Sequence, residues 1–369
     1  MKIPTTIFAV MIAAMLAITH ARANNIIPEV IQAENGTVGW LVEDKTLPII
    51  ALHAVFDGAG AVSDPPGKRG LAYFHNAMLG ETSNAIPGHR LRAIQEDLSI
   101  TLQNDVGRDS AAFGVRTLTR HLQATQDLVD TIFQPDFLQA DIARIRGQIQ
   151  ASLARRNTRP GQVAGDHLWQ LIFDDTSYAH PPIGVLADIN SITREDLQAY
   201  HQNMLTRARL RITFVGDIDR ETARAWLQRL SDPLRSDTPA LVRDDYTPPT
   251  QGSVTHVTLP ITQDQFAFAH AGPKRDDDDF YAAAIINEIL GGNVFSSKLG
   301  QEIRETQGLA YNIASDLHPL THAGLWLGWG ASTRQNRDSF IALVKQIWDD
   351  VGAGNFTLGS SGHVGARRA

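Results

Sequence analysis

Residues 69–84 read RGLAYFHNAMLGETSN, and the fold of the chain turns on what that stretch becomes. A glycine leads into a short amphipathic run with a polar exit, which predicts one short helix. Positions 73 and 77 are four apart and 76 is three from 73, so Tyr73, Asn76 and Ala77 share one helix face. Upstream, GTVGWLVED (36–44) and LPIIALHAVFDGAG (47–60) are β-rich runs joined at Asp44-Lys45 in the manner of antiparallel neighbours. Downstream, helices are expected over 89–97 and 123–133, with a strand at AAFGVRTL (111–118) between them. Ile142, Ile145, Ile149 and Leu153 keep a helical rhythm. Thr193 followed three residues later by Asp196 is a capping signal, and RLRITFVGDID (209–219) is a buried-type strand with a helix over 220–230 behind it.

Residues 231–253 are rich in proline, serine and aspartate and predict a linker. Beyond it SVTHVTL (253–259) and DQFAFAHAG (264–272) are expected strands. The four aspartates Asp276 to Asp279 sit where a helix begins, as the helix dipole favours, and Gly291 is expected to end that helix. A helix near 297–305, strands at 309–317 and 323–332 and a helix from Phe340 to Trp348 follow.

The chain has 369 residues, enough for two domains with separate cores. A net charge of −7 without any basic run argues against a nucleic-acid partner. Lys2, the apolar run over 7–18 and the small residues flanking Arg22 predict a signal peptide over 1–23, cut before Asn24. That run is too short to span a bilayer of ~30 Å, so no membrane span is expected after cleavage, and a periplasmic location is expected. With no cysteine in the chain, thiolate zinc sites and cysteine nucleophiles are excluded.

Histidines at 73 and 77 would chelate zinc, and a glutamate at 76 would activate a bound water, as in the inverted H-x-x-E-H signature. Around these positions the chain resembles the pitrilysin/insulinase family of zinc metallopeptidases, in which a hairpin ending in Ala-Gly precedes G-L-A-H-F-L-E-H-M-L. Here Ala59-Gly60 precedes Gly70-Leu71-Ala72-Tyr73-Phe74-His75-Asn76-Ala77-Met78-Leu79. The framework agrees except at His75, and every metal-chemistry residue is replaced. Counting along RGQIQASLARRN puts Ser152 at the place of the family's third ligand, a glutamate. Tyr73, Ala77 and Ser152 are not zinc ligands, and Asn76 is not a base.

The resemblance continues through the His-Pro, glycine and I-T-x-E-D-L pattern of 177–205, the V-G-D strand end of 212–219, and ILGG followed by SSKLGQEIRETQGLAY (296–311). It implies an α+β fold of two related domains, each a mostly antiparallel sheet flanked by helices, forming half of a clam-shell. The first domain would span 24–230 and carry the degenerate zinc site. The second would span 254–354, cut short; the run over 355–369 has no periodicity and a low-complexity composition, which by itself predicts an aberrant or disordered tail. The resemblance also singles out Arg304 and Tyr311, a pair that family members keep in the half facing the zinc half.

A guanidinium and a phenol are donors suited to peptide carbonyls or to a developing oxyanion. The resemblance thus implies a non-catalytic subunit of an exported heterodimeric peptidase. It would hold no metal itself and would lend Arg304 and Tyr311 to a zinc-signature partner acting on a peptide. A scaffold subunit without proteolysis and a self-sufficient peptidase with relocated ligands are the alternatives.

Overall fold

Strand β3 (Ile49–Asp57) alternates half-buried or exposed residues with buried ones along IIALHAVFD, the signature of a strand with one face in the core. In the computed structural model, which describes residues 27–174, 176–237, 245–249, 251–293 and 295–355, this strand lies inside a six-stranded sheet. The expected leader over 1–23 and nearly all of the tail over 355–369 lie outside the described residues, and the linker over 231–253 is described only in part.

The first lobe holds β1 (Glu29–Gln32), β2 (Val38–Glu43), β3, α1 (Leu71–Met78), α2 (Gly88–Asp97), β4 (Thr101–Val106) and β5 (Ser110–Leu118). Five helices follow, α3 (Leu122–Ile132), α4 (Gln139–Asn157), α5 (Pro160–Phe173), α6 (Leu186–Ser191) and α7 (Arg194–Met204), and the lobe ends with β6 (Leu210–Gly216) and α8 (Arg220–Ser231). The strand order is β1-β2-β6-β3-β5-β4. All pairings are antiparallel except β2 with β6.

The expectation that β2 and β3 are neighbours is therefore corrected, because β6 lies between them, Leu41 opposite Phe214 on one side and Leu52 opposite Phe214 on the other. Leu210, Ile212 and Phe214 are buried, and a β2–β3 hairpin would leave this apolar strand with an unpaired edge. The capping expectation holds in full. Thr193 Oγ1 accepts from the Asp196 backbone N–H at 3.2 Å, while Asp196 Oδ2 accepts from the Thr193 N–H at 2.8 Å. Ile142, Ile145, Ile149 and Leu153 form the buried stripe of α4.

The second lobe contains β7 (Gln263–Ala271), α9 (Phe280–Asn287), β8 (Ala310–Pro319), β9 (Gly324–Thr333) and α10 (Arg337–Gly352), with an antiparallel sheet ordered β7-β9-β8. Phe340, Val344, Ile347 and Val351 turn the apolar side of α10 onto Leu299, Ile303 and Ile313. Two expectations fail here. Residues 253–259 form no strand; no ladder pairs with them and Val254 is 78% exposed. Gly291 is not a left-handed terminator, because α9 continues into a π-turn over Glu288–Gly292. A Cβ at 291 would stand 2.5 Å from Ser315 Oγ, so glycine is required there for close approach to β8.

The lobes share a small core in which Trp169, Ile172 and Phe173 of α5 and Tyr178 meet Leu320, Ala323 and Leu325. Above it, the Arg108 guanidinium lies 3.4 Å from the centre of the Trp169 ring. Asp109 accepts from the Tyr178 hydroxyl at 2.5 Å and from the Thr321 N–H at 2.9 Å, joining the β4–β5 turn to the β8–β9 turn.

Candidate functional site

Helix α1 starts where it does because Asp64, buried beneath it, accepts from the N–H groups of Gly70 at 2.6 Å and Ala72 at 2.8 Å. Burial raises the Asp64 carboxyl above the ordinary aspartate range, while these hydrogen bonds and His180, 3.3 Å away, pull it down. Gly70 has φ +96° and Gly184 φ +82°, and their backbones touch. A Cβ at 184 would meet the Arg69 carbonyl oxygen at 2.2 Å. The glycine after His180-Pro181 is thus the packing partner of the glycine that opens α1.

Tyr73 and Ala77 are half-buried against the first core, and Asn76 is buried. Asn104 of β4 donates to the Asn76 carbonyl at 3.3 Å, tying the helix to the edge strand. Helix α1 also packs against α4, which carries Ser152. Ser152 Oγ accepts from Arg155 Nη2 at 2.9 Å.

The elements that would assemble a zinc site are therefore in contact, and their side chains are a phenol, a methyl, an amide and a hydroxyl. They do not fit a zinc ion, which takes imidazole, thiolate or carboxylate. Among the described residues no cluster of three or more histidine, aspartate or glutamate side chains could hold a metal in their stead.

His75 turns away from this face into the core, where its Nε2 lies 2.9 Å from His201 Nδ1 beside Phe137 and Tyr200. Burial holds His75 well below the ordinary histidine range and pushes His201 down to about 4. Both rings are neutral near pH 7 and serve as packing groups. His318 sits in β8 edge-on to Trp169, and His322 lies 3.5 Å from Asp245, so this pair does not converge on one ligand.

The second lobe does bring its two expected residues together. Leu299 and Ile303 are buried and anchor a π-helical segment, Gly300–Thr306, that carries Arg304 on its outer side. In β8 the register steps from Ala310 opposite Ser332 to Asn312 opposite Ala331, which leaves Tyr311 as the extra residue of a β-bulge. Bulges re-aim side chains, and Tyr311 is 81% exposed.

The Arg304 guanidinium carbon is 5.0 Å from the centre of the Tyr311 ring and 4.8 Å from that of Phe295. Among the described residues no carboxylate lies within ion-pair distance of Arg304. Its donors remain available to a ligand. Phe295 is 68% exposed and escaped the sequence analysis; its only signal is an aromatic residue just ahead of the helical segment.

Two family models match the chain, the insulinase (peptidase family M16) model over residues 43–184 and the peptidase M16 inactive domain model over 191–359. The chain belongs to the M16 family. It is 24% identical to an uncharacterized zinc protease of Mycobacterium leprae over 86% of this chain and 73% of that protein. It is also 24% identical to the non-peptidase homolog YmxG of Helicobacter pylori, over 90% of this chain and 74% of that protein.

Among solved structures, the peptidase M16 inactive domain from Pseudomonas fluorescens superposes with a TM-score of 0.85 at 26% identity, covering 90% of this chain and 80% of that one. A protease from Helicobacter pylori, at 16% identity, shares the fold with a TM-score of 0.81 over 90% of this chain and 81% of that one. The M16 chain described here is an inactive member of its family, with the signature positions occupied by Tyr73, Asn76 and Ala77. No helix among its described residues is long and apolar enough to cross a membrane.

Proposed function

We propose that this M16 chain is the non-catalytic subunit of an exported heterodimeric zinc metallopeptidase. A zinc-signature homologue supplies the metal, and this chain closes around the peptide and contributes Arg304 and Tyr311. The observation that carries the reading is the contrast between the two lobes. The zinc face holds no zinc-ligating side chain, while the half-buried Arg304 and the exposed Tyr311 stand together, among the described residues without a competing carboxylate. A guanidinium and a phenol so placed can hold a peptide carbonyl and stabilise the negative charge that grows on its oxygen.

The test is reconstitution. The purified chain alone is expected to leave a peptide substrate intact, and hydrolysis is expected when a zinc-signature homologue is added. Arg304→Ala or Tyr311→Phe in the mixture lowers turnover by roughly ten- to a thousandfold if the groups act as oxyanion donors. Equal turnover in both variants and the wild type rejects the role.

Export is part of the same proposal. A mature N-terminus at Asn24 on protein recovered from the periplasm supports it, and an intact leader on cytoplasmic protein rejects it. A scaffold reading draws support from the name of the Helicobacter pylori non-peptidase homolog. It predicts a stable assembly from the native host that contains no zinc-signature homologue.

A further inference from the structure

We propose that Phe295 is a positioning residue for Arg304, the second wall of an aromatic clamp that holds the guanidinium in its working orientation. The inference rests on the reading of Arg304 as a donor to the developing oxyanion. Three observations lead to it. The guanidinium carbon stands at nearly equal distances from two ring centres, 4.8 Å for Phe295 and 5.0 Å for Tyr311. Both rings are exposed, so neither has been recruited to fill the core. Arg304 has no ion-pair partner among the described residues that would fix its fork by another means.

An arginine on a solvent-facing helical turn samples many rotamers, and holding it ready for a ligand costs side-chain entropy. The electron-rich face of an aromatic ring attracts the cation, and two faces limit its swing without consuming its N–H donors.

The backbone around Phe295 is built to keep the ring there. Asn293 Oδ1 accepts from the N–H groups of Phe295 at 3.0 Å and Ser296 at 3.2 Å. Ser297 Oγ then accepts from the Gly300 N–H at 3.2 Å, at the entry to the turn that bears Arg304. On the other side Tyr311 is held by the bulge in β8. Two separate backbone devices therefore aim two rings at one cation. Tyr311 then has two duties, as a donor through its hydroxyl and as a wall through its ring, whereas Phe295 has only the second.

The clamp is tested in two ways. In the reconstituted peptidase, Phe295→Ala and Phe295→Leu are each expected to lower kcat about two- to fivefold, as an exposed cation–π contact implies, with KM nearly unchanged. Phe295→Trp is expected to restore kcat, because the ring face returns. In the isolated chain, ¹⁵N relaxation of the Arg304 Nε–H reports the order of the guanidinium directly. Order is expected to fall in Phe295→Ala and Phe295→Leu and to recover in Phe295→Trp.

Arg304 order unchanged in Phe295→Ala overturns the clamp whatever the peptidase does. An active mixture that responds to Arg304→Ala but not to Phe295→Ala or Phe295→Leu also overturns it, while leaving the proposed function standing. An inactive wild-type mixture rejects the proposed function, and the relaxation measurement still decides the clamp.

Discussion

A single histidine at position 75 shows how an ionisable residue next to an emptied site is put to other use. His75 and His201 are packed ring to ring in the first core, both neutral because burial disfavours their charged forms. In the unfolded chain each would titrate near 6.5, so between that pH and about 4 the unfolded state binds more protons than the folded state. Stability therefore falls as pH drops through this window, by on the order of 3 kcal/mol for His201 alone. Urea unfolding from pH 7 to 4 is expected to show that loss, and His201→Gln is expected to flatten it. An identical slope in the variant would assign the acid sensitivity elsewhere.

At the same scale the zinc positions can be refilled. Because α1 packs on α4, Tyr73→His, Asn76→Glu, Ala77→His and Ser152→Glu made together are expected to give a chain that binds one zinc ion, measured by metal analysis after dialysis. Stoichiometric zinc in the wild-type chain would contradict the reading of this face.

Helices and turns respond to changes that their local chemistry ranks in advance. The capping box at the start of α7 satisfies two backbone donors, and Thr193→Ala is expected to cost about 1 kcal/mol in denaturant unfolding. Two glycines give opposite results. Gly147 lies inside α4 with open space around its missing Cβ, so Gly147→Ala is expected to stabilise by about 0.5–1 kcal/mol. Gly291 stands against β8, where a Cβ would crowd both Ser315 Oγ and the Ser315 backbone nitrogen. Gly291→Ala is expected to destabilise by about 1–3 kcal/mol. Equal effects from the two substitutions would mean that the contact with Ser315 is unimportant.

Across the whole molecule the two lobes are joined by apolar surface and by a half-buried cation. Trp169 packs in the shared core against Phe173 and supports Arg108 from below. Burial pushes the Arg108 guanidinium down to about 10, still protonated at neutral pH, and its Nε donates to the Tyr178 carbonyl at 3.1 Å. Trp169→Ala removes a large buried ring and is expected to cost about 3–5 kcal/mol. It should also accelerate amide exchange in β7, against which α5 packs, more than in β3. Uniform acceleration over both sheets would show that the lobes unfold as one unit.

The chain alone determined its local elements and the replacement of the zinc-signature residues. The stripe of α4, the capping box of α7 and the replaced residues at 73, 76, 77 and 152 depend on spacing and side-chain type, which a sequence displays directly. Folding in three dimensions decided the rest. The insertion of β6 between β2 and β3 follows from covering an apolar strand on both edges, a demand met by residues far apart in the chain. Gly291 looked like a helix terminator because its role is set by Ser315, which approaches it only in the folded lobe. Phe295 was silent for the same reason: nothing in its neighbours along the chain announces that a guanidinium and a second ring will close over it. Periodicity and capping act between residues a few positions apart, whereas strand order, close approach and ring stacking arise from contacts that exist only once the chain has packed.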